Sequence, residues 1–173
     1  MTYEQYCEQA QKISSEKYTM RIKQRQDAKY EHDVYLCGAL KNDSIRELAW
    51  HLRTNFSYDV FDDWHSAHVE ADQLLWAYHR DWRGHSVAEA LRGPVATMIR
   101  DFDKKHIDSS SVVVLVAPAG KSAHMEIGYA IGQGKGTIYY YPEEPDRFDI
   151  MVGMVDHIAV GIGDLVKKIG LCL

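Results

Sequence analysis

The chain has 173 residues, 46% of them hydrophobic, enough to bury one core and close to the usual size of one domain. Its formal charge of −5 comes from acidic and basic residues mixed along the chain, which leaves no basic stripe to follow a phosphate backbone and speaks against duplex nucleic acid. Three separated cysteines, Cys7, Cys37 and Cys172, suggest neither a disulfide framework nor a zinc knuckle, and no apolar run approaches the roughly 20 residues of a membrane span. A soluble protein of the reducing cytoplasm, with no membrane attachment, is the expectation.

From Thr2 to about Lys29 long polar helix formers dominate, with Tyr6, Ile13, Met20 and Ile22 as a thin apolar stripe. This reads as an N-terminal helical arm over residues 1–32, either a subunit contact or a solvated helix lying on the domain that follows at 33–173. The first strand is the apolar run Val34 to Leu40, in which Gly38 allows backbone or ligand to approach closely near the carboxyl end. Ser44-Ile45-Arg46-Glu47 has the pattern of a capping box and starts a helix to about Thr54. A short strand from Tyr58 to Phe61 follows, and strand, helix and strand in that order predict a parallel pair.

Between Asp62 and His85 the chain is dense in Asp, His, Trp and Tyr, as in an elaborated loop with a helix; Trp76, Tyr78 and Trp82 read as packing residues beneath it. Asp62, Asp63, His65 and His68 offer oxygen and imidazole ligands within a few residues, but their place beyond the second strand suits either polar contacts to a bound ligand, with Trp64 as a stacking face, or a solvated loop anchored by one buried Trp. We expect no metal. Ser86 to His106 is helical in pattern except at Gly93-Pro94, where two helices should meet.

Ser111 to Ala117 is the clearest strand, its run of β-branched valines suited to a strand covered on both faces. A sharp turn, Pro118 to Ser122, leads into a helix from about Ala123 to Gln133. Thr137 to Tyr141 is the next strand, its tyrosines alternating between faces with only one face meeting a helix, Ile158 to Val160 a shorter strand, and Gly163 to Ile169 the closing helix. The alternation predicts a doubly wound, flavodoxin/Rossmann-like α/β fold of about five parallel strands flanked by helices, with ligand at the strands' carboxyl ends.

In the helix after the β-branched strand, the N–H groups of Ser122 and Ala123 offer an anion-binding edge, and Glu126 falls in the expected first turn, where negative charge is favoured; it either faces a bound ligand as nucleophile or electrostatic stabiliser or merely complements the dipole. Gly120-Lys121-Ser122 is not a phosphate loop: the glycine required five positions earlier is Leu115, inside the strand.

The block from Ala117 to Gly132, Ala-Pro-Ala-Gly-Lys-Ser-Ala-His-Met-Glu-Ile-Gly-Tyr-Ala-Ile-Gly, resembles the catalytic loop and helix of the nucleoside 2-deoxyribosyltransferase-like proteins. The resemblance runs from Val34 to near the C-terminus. It is strongest to a subgroup often met in phage and bacterial genomes, which shares the patterns around Phe61 to His65, Glu89 to Pro94 and Phe102 to His106. It implies that Glu126 attacks the anomeric carbon, that Asp103 handles the proton of the departing base, that Tyr35 orients the nucleophile, and that Gly38 lets ligand pass close to backbone. Asp101 competes with Asp103, and spacing to the central strand favours Asp103.

The classical transferases of that family carry an aspartate six residues before the catalytic glutamate, to bind the sugar's 5'-hydroxyl; here Gly120 stands there. Loss of that acid, with Lys121 and Ser122 beside it, shifts the expected substrate toward a 5'-monophosphate. The implied activity is cleavage or exchange of the N-glycosidic bond of a (2'-deoxy)nucleotide or nucleoside. It needs no cofactor, and related enzymes are commonly homodimers or larger. The alternatives are an N-glycosidase acting on NAD or an ADP-ribose-like ligand, and a nucleotide-binding module without turnover. His106 and His124 flank the block as candidate proton carriers or structural hydrogen-bonding residues.

Overall fold

A computed structural model describes residues 30–64 and 71–173. Most of the expected N-terminal arm, and His65 and His68, lie outside the described residues. The described chain divides into two units: one contains the residues up to Asp62 together with His106–Leu173, the other Asp63–Lys105.

The first unit is built on a sheet of five parallel strands, β1 (His32–Cys37), β2 (Val60–Phe61), β3 (Ser110–Val116), β4 (Gly136–Tyr141) and β5 (His157–Val160), in the order β2-β1-β3-β4-β5. This is the doubly wound, flavodoxin-like arrangement. Among the described residues, the helices of this unit are α1 (Ser44–Phe56), α5 (Lys121–Gly132), α6 (Gly161–Cys172) and the last residues of α4 (Pro94–Asp108), with a 3-10 turn at Ile150–Met154. β3 is central, Val112 to Val116 have no exposed surface, and each such side chain contributes about 1.5–3 kcal/mol relative to exposure.

Side chains show which face each helix covers. Tyr35 and Cys37 reach α5 through Glu126 and the Ala123 carbonyl. On the opposite face, a Cβ added to Gly38 would strike Ile45 of α1, and one added to Gly136 would lie 2.8 Å from the Cys172 Cβ of α6. The chain therefore turns one way after β1 and the other way after β3. Their carboxyl ends mark the switch point where such folds take ligands.

Several local expectations change. β1 is shorter than Val34 to Leu40 at its carboxyl end, because the chain turns after Cys37, where the Asn42 N–H donates to the Ala39 carbonyl. Gly38 thus lies just beyond the strand. The Ser44 capping box does not form: Asp43 is the N-cap without a side-chain bond, and Ser44 gives its N–H and hydroxyl to the Asn42 side chain. Both faces of β4 are covered, since Tyr139 and Tyr140 are equally buried at 7% exposure.

The second unit, described by itself, contains α2 (Ala71–Ala77), a π-helical turn at Tyr78–Trp82, α3 (Val87–Arg92) and α4 as far as Lys105. Here a capping box does form, with the Ser86 hydroxyl accepting from the Glu89 N–H and Glu89 accepting from the Ser86 N–H. Pro94 opens α4, so two helices do meet at Gly93-Pro94. The expected packing role of the aromatics fails for Trp82, 85% exposed, and Tyr78, 48% exposed. Among the described residues of this unit the buried aromatic is instead His79, whose ring stacks on His85 with 2.9 Å between the two Nδ1 atoms.

Candidate active site

At the switch point the Tyr35 hydroxyl donates to Glu126 Oε2 at 3.3 Å, across 91 residues of sequence. Tyr35 is fully buried, and its position in β1 is set by pairing with Phe61 on one side and Val113 on the other. Its ring lies nearly parallel to that of Phe61, at 13° and 5.4 Å between centroids. Phe61 is stacked in turn on His106 at 3.8 Å and 10°. His106 Nδ1 lies 3.3 Å from His32 Nε2, and His32 Nδ1 lies 3.2 Å from Asp59. The rotamer that carries the phenol to the carboxylate is thus braced by a row of aromatic rings.

Glu126 is half-buried on α5, in the second turn rather than the first: the helix starts at Lys121, with Gly120 as N-cap, two residues earlier than expected. A helix dipole acts mainly within its end turn, so the dipole is not what serves this carboxylate. The Tyr35 hydroxyl is a partner that holds it. At 3.6 residues per turn the buried Ala123, Ile127 and Ala130 form one stripe of α5, with Glu126 about 70° to one side and His124 about 90° to the other. Glu126 consequently faces β1, and His124 faces β4.

Beneath Glu126 lies Cys37, which the sequence did not single out for the site. Burial pushes its thiol well above the ordinary value, the negative charge of Glu126 adds to the rise, and a backbone hydrogen bond opposes it. The thiol stays protonated and points toward the Ala123 carbonyl, 3.8 Å away. It is a floor of low polarity and no nucleophile. The signal for it was in the strand's alternation, which puts residues 35 and 37 on the same face.

The remaining expected residues divide clearly. Gly38 sits where β1 exits, and an added Cβ would come within 3.2 Å of the Val116 carbonyl besides striking Ile45. Its close neighbours are the protein's own atoms. Gly120, Lys121 and Ser122 form the exposed start of α5, and the space where a Gly120 Cβ would stand is open. The Asn42 side chain donates to the Pro118 carbonyl at 3.5 Å and ties the loop after β1 to the loop after β3. Asp62 is held by the Arg53 guanidinium, which also donates to the Val60 carbonyl at 2.8 Å.

Trp64, half-buried, and Asp103, half-buried on α4, belong to the second unit, and Asp101 beside Asp103 is exposed. The Asp62 to His68 stretch thus enters the described structure only through Asp62, Asp63 and Trp64. His124 and His106 are both hydrogen-bonded in the first unit, His106 to His32, and His124 to Gly120 and Tyr139.

Chemically, the site is a carboxylate fixed by a phenol over a neutral floor, beside a helix start whose first N–H groups have no intrahelical acceptors. No described helix is long and apolar enough to cross a membrane. No protein-family model and no curated protein matches the chain, so the likeness to the deoxyribosyltransferase-like proteins rests on the motif residues themselves.

Proposed function

We propose that this protein cleaves or exchanges the N-glycosidic bond of a (2'-deoxy)nucleoside 5'-monophosphate or nucleoside, with Glu126 as nucleophile. The observation that supports this most is the Tyr35 to Glu126 hydrogen bond at the switch point of the sheet, since the two residues to which the resemblance assigns nucleophile and orienting group are in contact. Glu126 attacks the anomeric carbon as the bond to the base breaks. The base leaves with the bonding electrons and takes up a proton, and the sugar stays on the carboxylate as an ester. Attack by water on that ester releases free sugar; attack by a second base completes a transfer. Asp103 keeps the proton-handling role that the resemblance implies.

The 5'-monophosphate is the preferred substrate in this reading. Open space at Gly120, the exposed Lys121 and Ser122, and the absence of an acid there favour a bound anion. The enzyme is taken to work in the cytoplasm as a homodimer or larger, which sedimentation of the purified protein checks.

The test is incubation with deoxynucleosides, their 5'-monophosphates and NAD, followed by chromatography for free base. Glu126→Ala should lose on the order of 10⁴-fold or more in rate. Asp103→Asn should slow release of the base, and a glycosyl adduct should appear by mass spectrometry on the wild-type peptide containing Glu126. Nicotinamide release from NAD alone would redirect the substrate, and no base from any candidate would overturn the reading in favour of a binding module.

A further inference from the structure

The row of rings that braces Tyr35 ends in two imidazoles, and the carboxylate beside the first restricts how they can bond. Asp59, on the approach to β2, places an oxygen 3.2 Å from His32 Nδ1. A carboxylate accepts only, so that nitrogen carries the proton. In the neutral ring Nε2 then presents a lone pair, and the proton in its 3.3 Å contact with His106 Nδ1 comes from His106. One more proton can be held with this bond intact, because one ring becomes imidazolium while the other still offers a lone pair between them. A second cannot. With both rings charged, N–H faces N–H and cation faces cation.

Relief must come from the rings, since both backbones are pinned. His32 gives its N–H to the Ser109 carbonyl at 3.0 Å, and the Ser110 hydroxyl donates to the His106 carbonyl at 2.7 Å. His106 is the ring stacked on Phe61 at 3.8 Å, and Phe61 is the ring to which Tyr35 lies parallel. Turning His106 away from His32 therefore takes the support of Phe61 with it. The charged groups around the pair are few in kind. Asp59 faces His32 directly, and the Asp33 carboxylate of β1 takes the Asp59 N–H at 2.9 Å. At the start of β3, Lys135 donates to the Asp108 and Ser110 carbonyls, and the Asp108 carboxylate takes the Tyr129 hydroxyl. On α4 the chain brings Asp103, Lys104 and Lys105 just before His106.

We propose that His32 and His106 are positioning residues for Tyr35, acting through Phe61, and that they hold its phenol on Glu126 only while at least one of the two rings is neutral. The change falls where imidazoles gain and lose charge, between about pH 5 and 8. As a statement about rate, this rests on the reading of Glu126 as nucleophile with Tyr35 orienting it. In His32→Asn only one imidazole of the pair remains, so His106 keeps its place on Phe61 throughout; His106→Phe keeps a ring there that never charges. With each kcat for dCMP scaled to its own value at about pH 7.5, wild type should fall below both variants by about three- to tenfold at about pH 5.5, the size of one lost hydrogen bond, while KM follows the same course in all three. Identical scaled profiles, or a lowered Tm with unchanged profiles, would overturn the proposal.

Nuclear magnetic resonance of protein with isotope-labelled histidine and tyrosine reads the same device without turnover. His32 should carry its proton on Nδ1 when neutral, and the Tyr35 ring signals should shift with the later of the two imidazole titrations. In Phe61→Leu the imidazoles should still titrate while Tyr35 no longer follows. These results support the proposal even where no substrate is cleaved, an outcome that would count against the glycosidase reading alone. A Tyr35 ring indifferent to both titrations in the wild-type protein would sink the positioning role itself.

Discussion

Two loops leave the sheet side by side at the switch point, and each carries a glycine for a different reason. After β1 the chain passes from the buried Cys37 to Gly38, which is hemmed in by Ile45 and the Val116 carbonyl. After β3 it passes through Ala117 to Gly120, where an added Cβ meets nothing within 4 Å and φ is −87°, a conformation open to any residue. Packing requires the first glycine. Neither space nor backbone requires the second, so the side chain missing there leaves room beside the α5 donors. One exit is wall and the other is opening.

The contrast can be broken most directly at Gly38. Gly38→Ala must move Ile45 and crowd a carbonyl that belongs to the central strand, and should cost about 1–3 kcal/mol in urea unfolding. A neutral result would mean that this exit is as loose as the other.

Cys37 sharpens the same comparison through pH. Its thiol is raised in the folded protein, so between the ordinary value of 9.0 and the folded one the native state holds a proton that the unfolded chain has lost. Stability from this group is full below that range and declines as pH rises through it, by up to about 1.4 kcal/mol per pH unit. Denaturant midpoints of wild type and Cys37→Ala should therefore converge above the thiol range and run parallel below it. Parallel behaviour throughout would place Cys37 outside the sealed floor.

The smallest effect on folding belongs to Gly120→Asp. The new side chain has room, and as an N-cap it should stabilise the protein by a few tenths of a kcal/mol. It should also turn preference from dCMP toward deoxycytidine, because it occupies the N–H groups and adds negative charge. A variant that keeps its preference for dCMP would show that the open exit is not where the phosphate binds.

Much of this was legible in the chain. Val112 to Val116 announced a buried central strand through an unbroken apolar run, four of its five residues β-branched, and Pro94 announced the junction of α3 and α4 because its ring favours the first helical position. These are local properties of backbone and side chain. Caps were less legible: Ser44 and Ser86 carry the same pattern, yet Asn42 takes the place of Glu47 at the first and only the second closes its box. The aromatic segment misled for a related reason, since hydrophobicity alone does not say that Trp82 stays exposed while His79 is buried.

By itself, then, the sequence determined the order of strands and helices, the strand-loop-helix that carries Glu126, and the missing side chain at Gly120. Periodicity, β-branching and the special backbone of Gly and Pro act within a few residues and can be read directly. Tertiary structure alone decided that Glu126 meets Tyr35 from 91 positions away, that Gly38 is required by Ile45 and Val116, and that His124 turns toward β4 and grips Gly120. Those outcomes depend on which face of α5 settles on the sheet and where the neighbouring strands are in register. Both are set by packing between segments far apart in the chain.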